Sequence, residues 1–197
     1  IKVVHNGIDT EIFRPQPKTR RIPFRIMATA SADQPLKGLS YLIEAIALLT
    51  PDYPQIHLVV LGKINADGDS QQLINRLGIQ AQIRFVSGVS TAELVTLYAE
   101  TSLVVVPSIY EGFGLPAGEA MACGVAVVST KGGALPEVVG DSGILVPVRD
   151  AKAIASAVAD LLDHPEKAQA LGLKARTRIL DKFSWQVAAA SMTQTYQ

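Results

Sequence analysis

The chain of 197 residues is balanced in charge, with 18 Lys and Arg residues against 18 Asp and Glu residues. It therefore offers no net positive field to attract nucleic acid or an anionic membrane surface, and no apolar run approaches the roughly 18 residues that span a bilayer. The lone cysteine, Cys123, excludes an intrachain disulfide or a thiolate cluster, and we expect it to pack beneath a helix. Because no signal peptide is visible, we expect a cytoplasmic protein, and a chain that starts at Ile1 without methionine suggests a fragment.

The first 23 residues predict an irregular connector. A short extended run reaches the turn dipeptide Asn6-Gly7, and Pro15 and Pro17 interrupt the stretch that follows. We therefore predict a linker segment over residues 1–23, with the folded domain beginning at Phe24.

Apolar strands then alternate with helices joined by short loops. Strands are predicted over 24–29, 57–62, 83–86, 103–106, 125–129 and 144–147. Helices are predicted over 38–50, 70–77, 92–99 and 116–123, with a short one after Lys131 and three more over 151–162, 165–180 and 184–196. This order predicts an α/β fold, a doubly wound parallel sheet of the Rossmann-like kind with right-handed crossovers. Ligands of such sheets bind at the carboxyl ends of the strands.

Two predicted helix starts rest on polar residues. Thr91 is predicted as the N-cap of the helix over 92–99, with Glu93 in its first turn. Asp67-Gly68-Asp69 imitates an Asp-x-Asp metal-binding motif. Since it lies in a polar loop before a helix, the interpretation we favour is that Asp69 or Ser70 caps that helix.

The most informative stretch runs from Ser102 to Gly124 and predicts a strand, a glycine-rich loop and a helix. Glu111 follows the strand and Glu119 is predicted in the first helical turn. Unpaired amides at a helix start suit an anion, and carboxylates suit hydroxyls, so the pair points to a sugar nucleotide. Three alternatives compete: a dinucleotide fingerprint, which belongs after a first strand; a plain turn with solvated glutamates; and an acid that stabilises the helix start.

The same stretch resembles a known family. Glu111-Gly-Phe-Gly-Leu-Pro followed by Glu119-Ala-Met-Ala-Cys-Gly is similar to the Glu-x7-Glu signature of retaining glycosyltransferases of family 4, the glycosyl transferases group 1. Asn6-Gly-Ile-Asp and Phe183-Ser-Trp resemble the two ends of that family's C-terminal domain. The resemblance implies the C-terminal half of a GT-B fold, with a donor-binding domain over 24–183.

The resemblance also implies an activity and partners. It implies transfer of a hexose-type sugar from a nucleoside diphosphate sugar to an acceptor, with retention of configuration and without a metal or other cofactor. The acceptor would bind a missing N-terminal domain of the same protein, and the helix over 184–197 would pack toward that domain. Nucleic acid is not an expected partner, and a peripheral contact with a membrane is expected only through the missing half.

The site residues are carried over from the matching motif positions. Glu111 is the predicted catalytic residue, contacting sugar hydroxyls near the reacting carbon, and Glu119 is predicted to contact the ribose. Lys37-Gly38 would hold the diphosphate, where the family usually adds an arginine five residues earlier; here that position is Ala32. Backbone groups complete the predicted set. Those of Val86 and Gly88 would contact the base, and those of Gly132 and Gly133 the phosphates or the sugar. The leaving group would be contacted by the backbone of the loop after Glu111, at Gly112, Phe113, Gly114 and Leu115.

Two other functions stay open at the level of sequence. One is a nucleotide-sugar-binding module without catalysis, and the other is a GT-B-like sugar-nucleotide epimerase, which would need additional histidine or acidic groups. An upstream domain that carries acceptor-site residues would favour the transferase.

Overall fold

A single parallel sheet of six strands forms the centre of the molecule, in the order β3-β2-β1-β4-β5-β6. The computed structural model describes residues 3–30 and 34–196. Ala32, the position of the expected arginine, therefore lies outside the described residues. The strands are β1 (Arg25–Thr29), β2 (His57–Leu61), β3 (Ile83–Val86), β4 (Leu103–Val106), β5 (Ala126–Thr130) and β6 (Ile144–Val146). The predicted doubly wound parallel sheet is confirmed, because every strand pair is parallel.

Helices connect the strands and then close the chain. One 3-10 turn, Pro35–Lys37, precedes the first α-helix, and a second, Gln80–Gln82, precedes β3. The α-helices are α1 (Leu39–Leu49), α2 (Asp69–Leu77), α3 (Thr91–Glu100), α4 (Leu115–Ala122), α5 (Leu135–Val139), α6 (Ala151–Asp163), α7 (Pro165–Lys182) and α8 (Trp185–Tyr196). All predicted elements are present, with boundaries that differ by one or two residues.

Each central strand sends alternate side chains to opposite faces, which explains the continuous apolar runs in the sequence. Ile26 and Ala28 join one buried core with α1, α2 and α6, whereas Met27 joins the other with α3, α4, α5 and α7. Successive strand residues point to opposite faces of a sheet, so a strand covered by helices on both sides is apolar over most of its length. Cys123 is buried in the second core, as predicted.

Two predicted helix caps are wrong. Ser90 rather than Thr91 caps α3: its hydroxyl accepts from the Glu93 amide at 3.3 Å, and the Glu93 carboxylate accepts from the Ser90 amide at 2.6 Å. Both groups satisfy donors that a helix start leaves unpaired. In α2 the N-cap is Gly68, so Asp69 lies in the first turn and neither Asp69 nor Ser70 is the cap.

The two ends of the described chain meet on one side of the domain. The Ile8 amide donates to Phe183 O at 2.7 Å, and the Trp185 amide donates to Ile8 O at 3.1 Å. Ile8 is buried, so the predicted linker contacts the domain at this residue, whereas Trp185 on α8 is 58% exposed. The predicted domain boundaries and the docking of α8 stay predictions. Among the described residues, no helix combines the length and the apolar character needed to cross a membrane.

Candidate functional site

The strand order reverses between β1 and β4, and this position defines the candidate site. The chain leaves β1 toward β2 on one side and leaves β4 toward β5 on the other. The loops that follow the two strands therefore part at the carboxyl edge and leave a crevice between them, where open α/β sheets bind their ligands. Lys37 lies on the first of these loops and Glu111 on the second.

Lys37 and Glu111 meet across this crevice. The Lys37 Nζ atom lies 2.7 Å from Glu111 Oε1, and the Ser108 hydroxyl donates to the same oxygen at 2.9 Å. The Lys37 side chain is 33% exposed and the Glu111 side chain 12%, so the pair is held at the surface of the crevice with the carboxylate on its inner side. A cation and a carboxylate predicted from separate motifs are thus brought together 74 residues apart in sequence.

Three loops pack at this point through backbone contacts that only glycine permits. A Cβ atom on Gly38 would lie 2.1 Å from Pro107 O, one on Gly132 would lie 2.5 Å from Ser108 O, and one on Gly133 would lie 2.2 Å from Glu111 O. Gly38 and Gly133 also have positive φ angles, of 64° and 60°. These glycines let the loops after β1 and β5 press on the loop after β4.

The loop after Glu111 leads directly into α4 without a side-chain cap. Gly114 occupies the N-cap position with φ of 97°, and Leu115 is the first helical residue. Gly112 is exposed, with open space where a Cβ would lie. The Phe113 ring lies 6.0 Å from the Phe183 ring, centroid to centroid. The helix start thus offers uncapped backbone amides beside Glu111, an arrangement that suits an anion.

Glu119 lies in the second turn of α4, so its predicted place in the first turn is wrong and so is the alternative in which it stabilises the helix start. Its Oε2 accepts from the hydroxyl of Tyr98, on α3, at 3.1 Å. Burial raises the pKa of Glu119, and the hydrogen bond from Tyr98 partly opposes that rise. Burial and the charge of Glu119 hold the pKa of Tyr98 well above its usual value, so the phenol keeps its proton.

The predicted base-binding residues lie at the same edge, but two strands away from β1. Val86 ends β3, and its carbonyl accepts from the Gly62 amide at 2.8 Å. Gly88 has φ of 72° and open space where a Cβ would lie. Among the described residues, Lys37 and Glu111 form the one direct contact between predicted side chains, and Glu119 contacts Tyr98 instead.

Ser108 and Tyr98 are the residues that the sequence analysis missed. Each donates to one of the two glutamates, and both are buried. For Tyr98 a signal existed, because a phenol among the apolar residues of α3 requires a hydrogen-bond partner when buried. For Ser108 the signal was weaker, since a serine after a strand is a common turn residue.

A cavity lies at the amino edge of the sheet, opposite the candidate site, and its polar residues have structural roles. It encloses about 520 Å³ between α6, α7 and the end of α4. Its two arginines donate to carbonyls at helix ends, Arg21 to Gly124 O and Arg176 to Ala122 O, at 2.8 and 2.7 Å. Burial raises the pKa of the Cys123 thiol to about 12, which makes it a poor nucleophile.

Comparison with known proteins agrees with this geometry. Residues 14–178 match the family described as glycosyl transferases group 1. The chain is 41% identical over 200 residues to the MMP alpha-(1->4)-mannosyltransferase of Mycolicibacterium hassiacum, covering all of this chain and 48% of that protein. It therefore spans about half the length of this curated relative.

Solved structures extend the likeness to the whole fold. Sucrose-phosphate synthase from Thermosynechococcus elongatus superposes with a TM-score of 0.86 at 29% identity, over 99% of this chain and 51% of that one. Anabaena Alr3699/HepE, solved in complex with UDP-glucose, superposes with a TM-score of 0.85 at 23% identity, over 99% of this chain and 57% of that one. The predicted C-terminal half of a GT-B fold is confirmed, and because residues 14–178 match the family, the chain belongs to the glycosyl transferases group 1.

Proposed function

We propose that this chain is the donor-binding domain of a retaining glycosyltransferase that moves a hexose-type sugar from a nucleoside diphosphate sugar to an acceptor. The observation that carries the proposal is the meeting of Lys37 and Glu111 at the reversal of strand order, with Nζ and Oε1 2.7 Å apart. One group suits an anion and the other suits hydroxyls, as a nucleotide sugar requires. The fold can accommodate such a donor, since HepE was solved with UDP-glucose.

In this proposal each group of residues binds a different part of the donor. Lys37 holds the diphosphate together with the uncapped amides of the Gly112–Leu115 segment, while Glu111 accepts from sugar hydroxyls near the reacting carbon. Glu119 accepts from the ribose, and the backbone of the Val86–Gly88 segment meets the base. Gly132 and Gly133 bring the loop after β5 against Glu111, where their amides lie beside the sugar and phosphates.

The chemistry of these groups is electrostatic. As the bond between the anomeric carbon and the phosphate oxygen breaks, negative charge grows on the departing diphosphate. The Lys37 ammonium and the amides at the start of α4 stabilise that charge without forming a covalent bond. No step calls for a metal or other cofactor, which is part of the proposal.

Transfer itself requires more than this chain. The Lys37 side chain is 33% exposed, and we propose that a second domain of the full protein covers this site, carries the acceptor and excludes water. In this proposal α8, whose Trp185 is 58% exposed, packs against that domain.

The test compares binding with transfer. Calorimetric titration of this chain with a panel of uridine, guanosine and adenosine diphosphate sugars should show binding of at least one, without transfer to an acceptor. Transfer should appear once the upstream domain is joined to the chain. Binding of none of the panel would contradict the donor assignment, and turnover by the isolated chain would contradict the need for a second domain.

A further inference from the structure

Tyr98 is the one fully buried tyrosine side chain among the described residues, and its hydroxyl is aimed at the candidate site. The side chain is 0% exposed, and its ring packs edge-on against Phe13 at a centroid distance of 6.3 Å. Its hydroxyl donates to Glu119 Oε2 at 3.1 Å. Burying a phenolic hydroxyl costs free energy unless it finds a partner, so Glu119 and Tyr98 constrain each other.

The direction of this hydrogen bond leaves part of Glu119 available. A carboxylate accepts on two oxygens, and Tyr98 occupies Oε2 only. In the described part of the chain, no side chain donates to Oε1. The carboxylate is thus anchored through one oxygen and can accept from a ligand through the other.

We propose that Tyr98 is a positioning residue that fixes Glu119 for the ribose hydroxyls and so makes the site select ribonucleotides over nucleotides that lack those hydroxyls. This proposal rests on the proposed function, since it takes the ribose as the partner of Glu119. The phenol does not touch the nucleotide. It acts by holding the carboxylate in one rotamer, which lowers the ordering cost of binding.

Physical chemistry supports a phenol in this role. A lysine or arginine at this position would draw the carboxylate into an ion pair, as Lys37 does with Glu111. A phenol whose pKa is held well above its usual value stays a neutral donor, so it orients Glu119 without neutralising its charge. The negative charge that favours the ribose hydroxyls is retained.

The experiment compares Tyr98→Phe with a matched control, Tyr53→Phe. Tyr53 also donates to a carboxylate, that of Asp163, at 2.8 Å, but it lies beyond the amino edge of the sheet. Each variant is titrated with uridine, guanosine or adenosine diphosphate, whichever the unmodified chain binds best, and with the 2′,3′-dideoxy form of the same nucleotide. The ratio of the two affinities is the readout.

We expect Tyr98→Phe to weaken the ribonucleotide by about 3- to 10-fold, the range of one hydrogen bond, and to leave the dideoxynucleotide unchanged. Tyr53→Phe should change neither. Equal weakening of both nucleotides by Tyr98→Phe would show a merely structural role and overturn the proposal, as would an unchanged ratio.

Two further measurements keep the result clear. In a Glu119→Ala background, Tyr98→Phe should have no further effect on the ratio. If the variant does not fold, a crystal structure of the unmodified chain with the bound nucleoside diphosphate decides: Glu119 should keep Tyr98 on one oxygen and take the ribose on the other, and a Glu119 turned away from Tyr98 overturns the proposal. Failure of the unmodified chain to bind any of the three diphosphates would instead overturn the proposed function, and this proposal with it.

Discussion

The two glutamates of the site are held in opposite ways. Glu111 faces a cation, the Lys37 ammonium at 2.7 Å, whereas Glu119 faces a neutral phenol at 3.1 Å. A ligand that brings phosphate groups competes with Glu111 for Lys37, so the first pair must exchange partners when the donor binds. The second pair can keep its hydrogen bond while the free oxygen of Glu119 accepts a hydroxyl. One half of the site is therefore poised to rearrange, and the other is preorganised.

The largest effect is expected from a substitution that disrupts the loop packing beneath the Lys37–Glu111 pair. Gly133→Ala would place a Cβ atom 2.2 Å from Glu111 O at a positive φ, and we expect the free energy of unfolding to fall by about 2–4 kcal/mol. Gly78→Ala is the control: it has a similar φ of 69° but open space, so about 1–2 kcal/mol is expected. Urea denaturation measures both, and equal losses would contradict the packing role.

The second prediction removes the cation. Lys37→Ala should weaken nucleoside diphosphate binding by about 10- to 150-fold, the range for a hydrogen bond to a charged group, and scarcely change binding of the nucleoside. Lys167→Ala is a matched control, since Lys167 also pairs with a carboxylate, that of Asp160, at 2.5 Å but far from the site. Diphosphate binding to Lys37→Ala as tight as to the unmodified chain would refute the phosphate assignment.

The third prediction separates the two carboxylates by the direction in which their loss changes the affinity for the nucleoside diphosphate. Glu119→Ala should weaken the nucleoside and its diphosphate alike, by about 10-fold. Glu111→Gln removes the competitor for Lys37, so diphosphate affinity should stay level or rise, while sugar transfer falls in the full-length enzyme. Calorimetry with the diphosphate tests the pair of variants. Similar losses of affinity in both would remove the distinction between the two regions.

The smallest effect concerns pH. Because burial raises the pKa of Glu119 above its unfolded value, its contribution to stability is present below the unfolded pKa and is lost as pH rises through the folded pKa. The ionisable groups nearest to it are Tyr98 and Cys123, which stay neutral over this range because both pKa values are raised. Glu119→Gln should therefore gain thermal stability over the unmodified chain as the pH rises from about 4 to 8.

A second glutamate provides a control of opposite sign. The backbone and side-chain hydrogen bonds of Ser90 lower the pKa of Glu93, so Glu93 contributes stability above its unfolded pKa that is lost as pH falls through the folded pKa. Glu93→Gln should be less stable than the unmodified chain at neutral pH, with the difference vanishing in acid. Melting curves across this pH range measure both variants. The same sign for both would show that burial does not control Glu119.

Patterns in the sequence are enough to predict the order and type of the elements and to name the motif residues of the candidate site. Apolar runs such as Leu103–Val106 can be satisfied only by burial on both faces, and alternation with helices then requires a parallel sheet. In a parallel sheet the carboxyl ends of all strands lie at one edge, so the sequence also predicts that Lys37 and Glu111 are neighbours there. Which of two neighbouring hydroxyl residues caps a helix is harder to predict. For this reason the predicted N-cap of α3 was Thr91, whereas the observed one is Ser90.

How each functional group is held depends on contacts between distant parts of the chain. Which oxygen Lys37 contacts, and that Ser108 shares it, depends on loops brought together through glycines far apart in sequence. The partner of Glu119 depends on how α3 packs beside α4, which no local pattern specifies. Side-chain partners across 21 or 74 residues arise from packing, whereas strands and helices arise from periodicity within a few residues, and this difference in range is why the sequence determined the elements but not the contacts.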